Sequence, residues 1–263
     1  MSSRPDCDIH PTAVVDPLAK LAPGVRIGAF ACIGPDVEIG EATAIGPYTA
    51  IFGPTRIGRG NTIHSHACLG DAPQDLSYRG QPTRLEIGDG NVIREFVTMH
   101  RGTEKGGGVT RIGNDNLFMA YSHVAHDCQI GNRVIMANAA TLAGHVVVED
   151  GANIAGLAAI HQFIRIGRHA MVGGGSIVVL DVPPFTMAAG NHARLYGLNV
   201  RGLRRAGISA ESIAALKQAY RLLYRSGLGL AAACERIRHE LPPTPELAHL
   251  LDFIERTQRG LTR

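Results

Sequence analysis

Ile27-Gly28-Ala29-Phe30-Ala31-Cys32-Ile33-Gly34-Pro35-Asp36-Val37-Glu38-Ile39-Gly40-Glu41-Ala42-Thr43-Ala44-Ile45-Gly46 places an aliphatic residue at every sixth position, each followed by glycine. The same phase extends back through Leu21 and Val15 to Ile9 and forward through Ile51, Ile57 and Ile63 to Leu69. It resumes at Ile87, Ile93 and Met99, and again from Ile112 through Phe118, Val124, Ile130, Met136, Leu142, Val148, Ile154, Ile160, Ile166 and Val172 to Val178. A fixed period of six is the signature of a β-helix, in which three short strands make one triangular coil and the aliphatic side chain points into the prism. The glycine after the aliphatic residue is expected at a tight corner, where a side chain would crowd or φ is positive. Small or β-branched residues four places after it, such as Val25, Ala31, Val37, Thr43, Thr49 and Thr55, fit a second interior row.

Composition agrees with thin, ring-poor coils: aromatic residues make up 5% of the 263, Trp is absent and Gly numbers 32. No apolar run is long enough to cross a bilayer and no signal-peptide pattern opens the chain, so a cytoplasmic protein without membrane insertion is expected. The five cysteines, Cys7, Cys32, Cys68, Cys128 and Cys234, are odd in number and lack CxxC spacing, which argues against a disulfide framework and a zinc ribbon.

The repeat is interrupted twice, by loops over residues 70–86 and 100–111, and ejected loops on a rigid scaffold are where binding residues collect. It stops near Asp181, at Val182-Pro183-Pro184. Beyond it the spacing predicts helices: one capped by Ser209 and closed by Gly227, one through Cys234 and Ile237 to Leu241, and one from Pro245 to Gln258. The chain therefore divides into a β-helix over 1–190 and a helical domain over 191–263. From Arg194 onward 12 Lys/Arg face 6 Asp/Glu, against 26 and 23 for the whole chain, so positive charge collects at the helical end. That bias suits an acidic macromolecule or a phosphate nearby, and equally a solvated helical face.

One coil is three repeats, so residues 18 apart stack at roughly the 4.8 Å spacing of paired strands. His126, Gly144 and Gln162 are related in this way, with His145 one place after the file and His161 one place before it. Several imidazoles and a glycine backbone thus gather on one edge of the prism, outside the aliphatic core.

Ser122-His123-Val124-Ala125-His126-Asp127-Cys128, with Thr141-Leu142-Ala143-Gly144-His145 and Ile160-His161-Gln162-Phe163, resembles the UDP-N-acetylglucosamine acyltransferase family of hexapeptide-repeat enzymes. So do Pro73-Gln74-Asp75-Leu76, His100-Arg101-Gly102-Thr103 with Gly106-Gly107-Gly108, Gly190-Asn191-His192-Ala193 and, in the tail, Ala219-Tyr220-Arg221 and Tyr224-Arg225-Ser226-Gly227. The resemblance spans essentially the whole chain. It implies a left-handed β-helix and transfer of an R-3-hydroxyacyl group from acyl carrier protein to the glucosamine 3-hydroxyl of UDP-N-acetylglucosamine, the first step of lipid A biosynthesis.

A sugar hydroxyl is too weak an acid to attack a thioester unaided, and an imidazole with a pKa of about 6.5 is a suitable base near pH 7. By resemblance His126 is that base, Asp127 orients it, and the Gly144 N–H is the oxyanion donor. His123, His145, His161, Gln162 and His192 would line the sugar and acyl pockets. Gln74 and Asp75 would meet the sugar, Asn199 and Arg205 the nucleotide, and Gly174 the end of the acyl tail. The resemblance also implies a homotrimer with sites between subunits. It implies no metal and no cofactor beyond the phosphopantetheine on which acyl carrier protein carries the donor, and no nucleic-acid partner.

Three departures touch the nucleotide end. Ser77 stands where the family often has Lys, Arg201 where it often has an acid, and Ala206 where it often has Arg; Arg201 and Arg204 could supply replacement charge. These departures leave a 3-hydroxyl or a 3-amino acceptor open. Two other readings fit the histidines: a γ-class carbonic anhydrase holding zinc on His123, His126 and His161, and a noncatalytic β-helical binding module.

Overall fold

A computed structural model describes residues 6–263, and its strands are laid out as the period of six requires. Among these residues, face A begins with Asp8–Ile9 and has eleven strands, face B begins with Val14–Val15 and has nine, and face C begins with Lys20–Leu21 and has eight. Each aliphatic residue pairs with its counterpart one coil away, as in Ile27 with Ile45 and Ile33 with Ile51. Most of these residues are buried, as are Val25, Ala31 and Val37 in the second row. Each face therefore has two inward files, one aliphatic and one that mixes aliphatic residues with buried Thr and Asn, with dispersion and apolar burial supplying most of the cohesion. The ejected loops leave the prism without breaking it, because Thr62 pairs with Val92 and Val92 with Leu117 across the two insertions.

The glycine expectation is corrected in part. Gly28, Gly40 and Gly46, each just after an aliphatic residue, do not have positive φ. They are needed for close approach: a Cβ at Gly28 would lie 2.8 Å from the Pro47 nitrogen, and one at Gly40 2.6 Å from the Gly58 carbonyl carbon. Positive φ falls two residues later, at Phe30, Asp36, Ala42 and Tyr48, so the true corner residue is usually not glycine. The position between them is often Pro (Pro11, Pro17, Pro23, Pro35, Pro47), which is tolerated where no ladder partner exists for an N–H.

One internal file is polar. Asn91 donates from Nδ2 to Asn61 Oδ1 (3.0 Å) and to the Gly113 carbonyl (3.0 Å). Asn116 donates from its amide Nδ2 (2.9 Å) and its backbone N (3.0 Å) to Asn91 Oδ1. All three side chains are buried, so they replace the hydrogen bonds that the corner backbone cannot make within the ladder. Asn91→Leu would orphan several of these groups at once, at about 1–3 kcal/mol each. We expect a loss of at least about 3 kcal/mol, read as a lowered urea midpoint with an unchanged m value.

At the end of the prism a hairpin of Thr186–Ala189 and Arg194–Leu198 crosses the expected boundary at 190. Four helices follow: α1 (Val200–Arg205), α2 (Ala210–Arg225), α3 (Leu230–Glu240) and α4 (Pro245–Glu255). Ser209 caps α2 by accepting from Ser212 N (3.1 Å), and Gly227 has φ of 77° just past its end. The hairpin and α1 carry no hexad or long helical period, and α4 stops short of Gln258 at Arg256. The helices bury Phe185, Leu203, Leu216, Ile237, Leu250 and Phe253 among themselves. The chain end returns to the prism, where Thr262 N donates to the Asp181 carbonyl (2.8 Å). No helix of the described residues is long and apolar enough to cross a membrane, and all five cysteines are unpaired.

Candidate active site

The candidate site lies on the edge where face B turns into face C. His126 and Asp127 turn this corner between strands His123–Val124 and Gln129–Ile130, with Asp127 at φ of 62°. That backbone places the carboxylate beside the preceding imidazole: His126 Nδ1 stands 2.8 Å from Asp127 Oδ2. With Nδ1 donating to the carboxylate, Nε2 keeps its lone pair. Asp127 is buried, which pushes its carboxyl up, but donation from His126 and from Thr103 overcomes this and holds it below the usual carboxylate range.

Thr103 is the residue that hexad reasoning missed. Its backbone N donates to Asp127 Oδ1 (2.8 Å) and its hydroxyl to Oδ2 (2.6 Å). The second ejected loop therefore closes over the carboxylate, through a short turn at Glu104–Gly106 that Thr103 caps. A Cβ on Gly106 would overlap the Asp127 carboxyl, which explains that glycine. The sequence signal available was the clustered Gly106-Gly107-Gly108, since an aperiodic loop offers no register to read.

One coil on, Gly144 lies against the His126 ring. A Cβ there would lie 2.5 Å from His126 Cε1 and 2.8 Å from Nε2. Gly144 occupies the corner position that elsewhere holds Pro, and no acceptor among the described residues faces its N–H. A buried amide without a partner is a donor available to an incoming group. His145 follows at φ of 62°, with Nε2 3.7 Å from Asp127 Oδ2 and its ring stacked on Phe163 at 4.4 Å. Burial, reinforced by His126, pushes the His145 pKa down against the pull of Asp127 and Asp75.

The remaining expected residues separate into groups. His123 bonds through Nδ1 to the Thr98 hydroxyl (2.7 Å) and meets His100 edge-on at 5.0 Å; burial pushes its pKa down to about 4, so it is neutral at pH 7. His161 and Gln162 are exposed, and Arg259 of the chain end reaches both, donating to the Gln162 carbonyl (3.2 Å). Asp75 is half-buried in the first ejected loop, with Gln74 exposed beside it, and His126 is among the charges that help lower its pKa after the bonds from Ser77. Gly174 is exposed with an ordinary φ, unlike its neighbour Gly175 at 65°.

Asn199, Arg205 and His192 make no hydrogen bond, ion pair or ring contact with His126 within the chain. Asn199 caps α1, accepting from Gly202 N (3.1 Å) and donating to the His169 carbonyl (3.0 Å). His169 belongs to the corner between faces C and A, a different edge of the prism. Arg205 is exposed at the end of α1, and His192 is exposed in the hairpin turn. The zinc set His123, His126 and His161 does not converge either. Among the described residues the one group of three donors within 4.8 Å of one another is His126, Asp127 and His145.

Residues 181–262 match the family model of UDP-N-acetylglucosamine O-acyltransferase domain 2, and residues 110–144 match the bacterial transferase hexapeptide model. An acyl-[acyl-carrier-protein]--UDP-N-acetylglucosamine O-acyltransferase of Thiobacillus denitrificans is 56% identical over 97% of this chain and 99% of its own. The UDP-N-acetylglucosamine O-acyltransferase structure from Moraxella catarrhalis is 43% identical and superposes with a TM-score of 0.94 over 97% of this chain and 99% of that one. The Arabidopsis UDP-N-acetylglucosamine acyltransferase structure is 35% identical, with a TM-score of 0.76 over 99% of both. The fold is accordingly a left-handed parallel β-helix with a C-terminal helical domain, and the chain belongs to the acyl-[acyl-carrier-protein]--UDP-N-acetylglucosamine O-acyltransferase family.

Proposed function

We propose that this acyltransferase moves an R-3-hydroxyacyl group from acyl carrier protein to the 3-hydroxyl of UDP-N-acetylglucosamine in the cytoplasm, opening lipid A biosynthesis, with His126 as general base. The observation that carries the mechanism is the His126–Asp127 pair set against the free Gly144 N–H. In this reading Nε2 takes the hydroxyl proton as the oxygen forms its bond to the thioester carbon. The carbonyl oxygen becomes an oxyanion, and Gly144 N–H donates to it; such a donor is worth about 3–4 kcal/mol. The C–S bond then breaks, and Nε2 returns the proton to the phosphopantetheine thiolate. The protein supplies every group for this sequence, so no metal or further cofactor is assigned. Acyl transfer from hydroxyacyl carrier protein, followed by mass spectrometry with the sugar nucleotide and its 3-amino analogue, tests the reading; absence of product with both overturns it.

A homotrimer is part of the proposal. Its support is the position of Asn199 beside His169, on the corner between faces C and A and not on the His126 edge, which suits a substrate held between two copies. A second support is the edge between faces A and B, where Phe30, Tyr48, His66, Phe96 and Tyr121 stack at 4.9–5.1 Å. Tyr121 is 61% exposed and Leu157, farther along this edge, 73%, a continuous apolar edge of the kind that marks an interface. Light scattering at working concentration should give three chains, and a fully active monomer would refute this.

Gly174 is proposed to bound the acyl pocket. Gly175 serves the corner, and a Cβ at Gly173 would crowd Ala189 at 2.8 Å. Gly174 has neither reason, since a Cβ there would meet only the Gly156 carbonyl at 3.3 Å. Its missing side chain leaves open space, and each CH₂ buried there contributes about 0.8 kcal/mol. We expect a long-chain donor to be preferred by wild type and Gly174→Met to shift the preference toward shorter donors. An unchanged length profile in paired-donor competition would show that Gly174 does not bound the pocket.

A further inference from the structure

We infer that the His126–Asp127–His145 corner binds a divalent transition-metal ion of the Zn²⁺ class, and that the bound ion switches the base off. His126 Nδ1 lies 2.8 Å and His145 Nε2 3.7 Å from the same oxygen, Asp127 Oδ2. Zinc takes two imidazole nitrogens and one carboxylate oxygen at about 2.0–2.2 Å, leaving a fourth position open. Donors of such a tetrahedron stand roughly 3.3–3.6 Å apart; the two separations from Asp127 Oδ2 fall on either side of that value, and the three donors all lie within 4.8 Å of one another, so small ring movements would close them on an ion.

The donors are held by their surroundings, as ligands of tight sites are. Thr103 fixes the Asp127 carboxylate with two bonds, and Phe163 stacks on the His145 ring. The Asp127 side chain is 1% exposed, and the His126 and His145 side chains are 14% and 21%, so the pair of rings opens the site to a small ion. Imidazole donors with a single carboxylate select Zn²⁺ or Co²⁺ over Mg²⁺ and Ca²⁺, which demand oxygen.

The consequence for catalysis follows from proton bookkeeping. Neutral imidazole carries one proton, on Nδ1 while Nδ1 faces Asp127. A metal bound through the Nδ1 lone pair moves that proton to Nε2, and Nε2 then has no lone pair with which to accept the sugar hydroxyl's proton. Binding rests on the geometry alone; loss of turnover rests on the general-base reading above.

Untagged protein titrated with Co²⁺ should develop the visible absorption of a low-coordinate ion at one equivalent per chain, and Zn²⁺ should abolish it. Zn²⁺ should lower acyl transfer at least about tenfold with recovery on chelation, while Mg²⁺ does neither. His145→Asn keeps a residue that tolerates the φ of 62° found there. It should weaken Zn²⁺ binding at least about tenfold, since even residues behind a ligand are worth that much. Absence of the wild-type Co²⁺ absorption overturns the site and leaves the base assignment standing, whether or not the variant folds. Full Zn²⁺ affinity in a folded His145→Asn overturns the donor set. Binding with undiminished turnover overturns the switch, and with it the role of Nε2.

Discussion

His126→Ala is expected to reduce turnover by at least about 10²-fold while the fold survives. The imidazole is half-buried on the prism edge, outside both inward files, so its removal leaves no core cavity. What disappears is the Nε2 lone pair that takes the hydroxyl proton in the proposed mechanism, with Asp127 behind Nδ1 fixing the ring. Asp127→Ala should lose less in turnover, because the imidazole remains. It should lose more in stability, since Thr103 N and its hydroxyl are then left without their acceptor, at about 1–3 kcal/mol each. Single-turnover transfer combined with thermal unfolding separates the two variants. Near-normal turnover in His126→Ala would remove the base from the mechanism.

The scaffold was legible because its physics is one-dimensional. A residue that must point inward recurs at every corner-to-corner step, and Ile27, Ile33 and Ile39 announce three faces before any contact is known. The same arithmetic stacked His126 beneath Gly144, since 18 residues make one coil. It did not show which corner residue has positive φ, because Gly28 is excluded from bearing a side chain by the Pro47 backbone and not by its own dihedral, and composition cannot separate the two causes. The Asn61–Asn91–Asn116 file was hidden for a related reason: asparagine at an interior position reads as a break in hydrophobicity until its neighbours along the file are seen to satisfy it. Thr103 was unreadable because its partner is 24 residues away through an aperiodic loop. Asn199 and Arg205 show the opposite limit. Motif resemblance groups them with His126, whereas the chain places Asn199 by His169 on another edge and engages its side-chain amide in a helix cap.

Gly144→Ala is expected to match the loss expected for His126→Ala, although it adds a single methyl group and removes no functional atom. The new Cβ would stand 2.5 Å from His126 Cε1, closer than van der Waals contact allows, so the imidazole must rotate or tip away. Either movement breaks the 2.8 Å approach of Nδ1 to Asp127 Oδ2 and redirects Nε2. The proposed oxyanion donor is displaced with it, because the N–H and the crowded Cβ belong to the same residue. Losing one such donor alone costs about 10²–10³ in turnover, and misplacing a base by about 1 Å can cost about 10². The two losses share one cause and should not simply add, so a fall of at least about 10² is expected. Stability should change little, since Ala143 and His145 on either side keep their ladder bonds to the Ile160 and His126 carbonyls. Turnover number, substrate KM and unfolding midpoint measured together check this: a folded Gly144→Ala enzyme within tenfold of wild type would show that neither the base position nor the amide donor depends on this glycine.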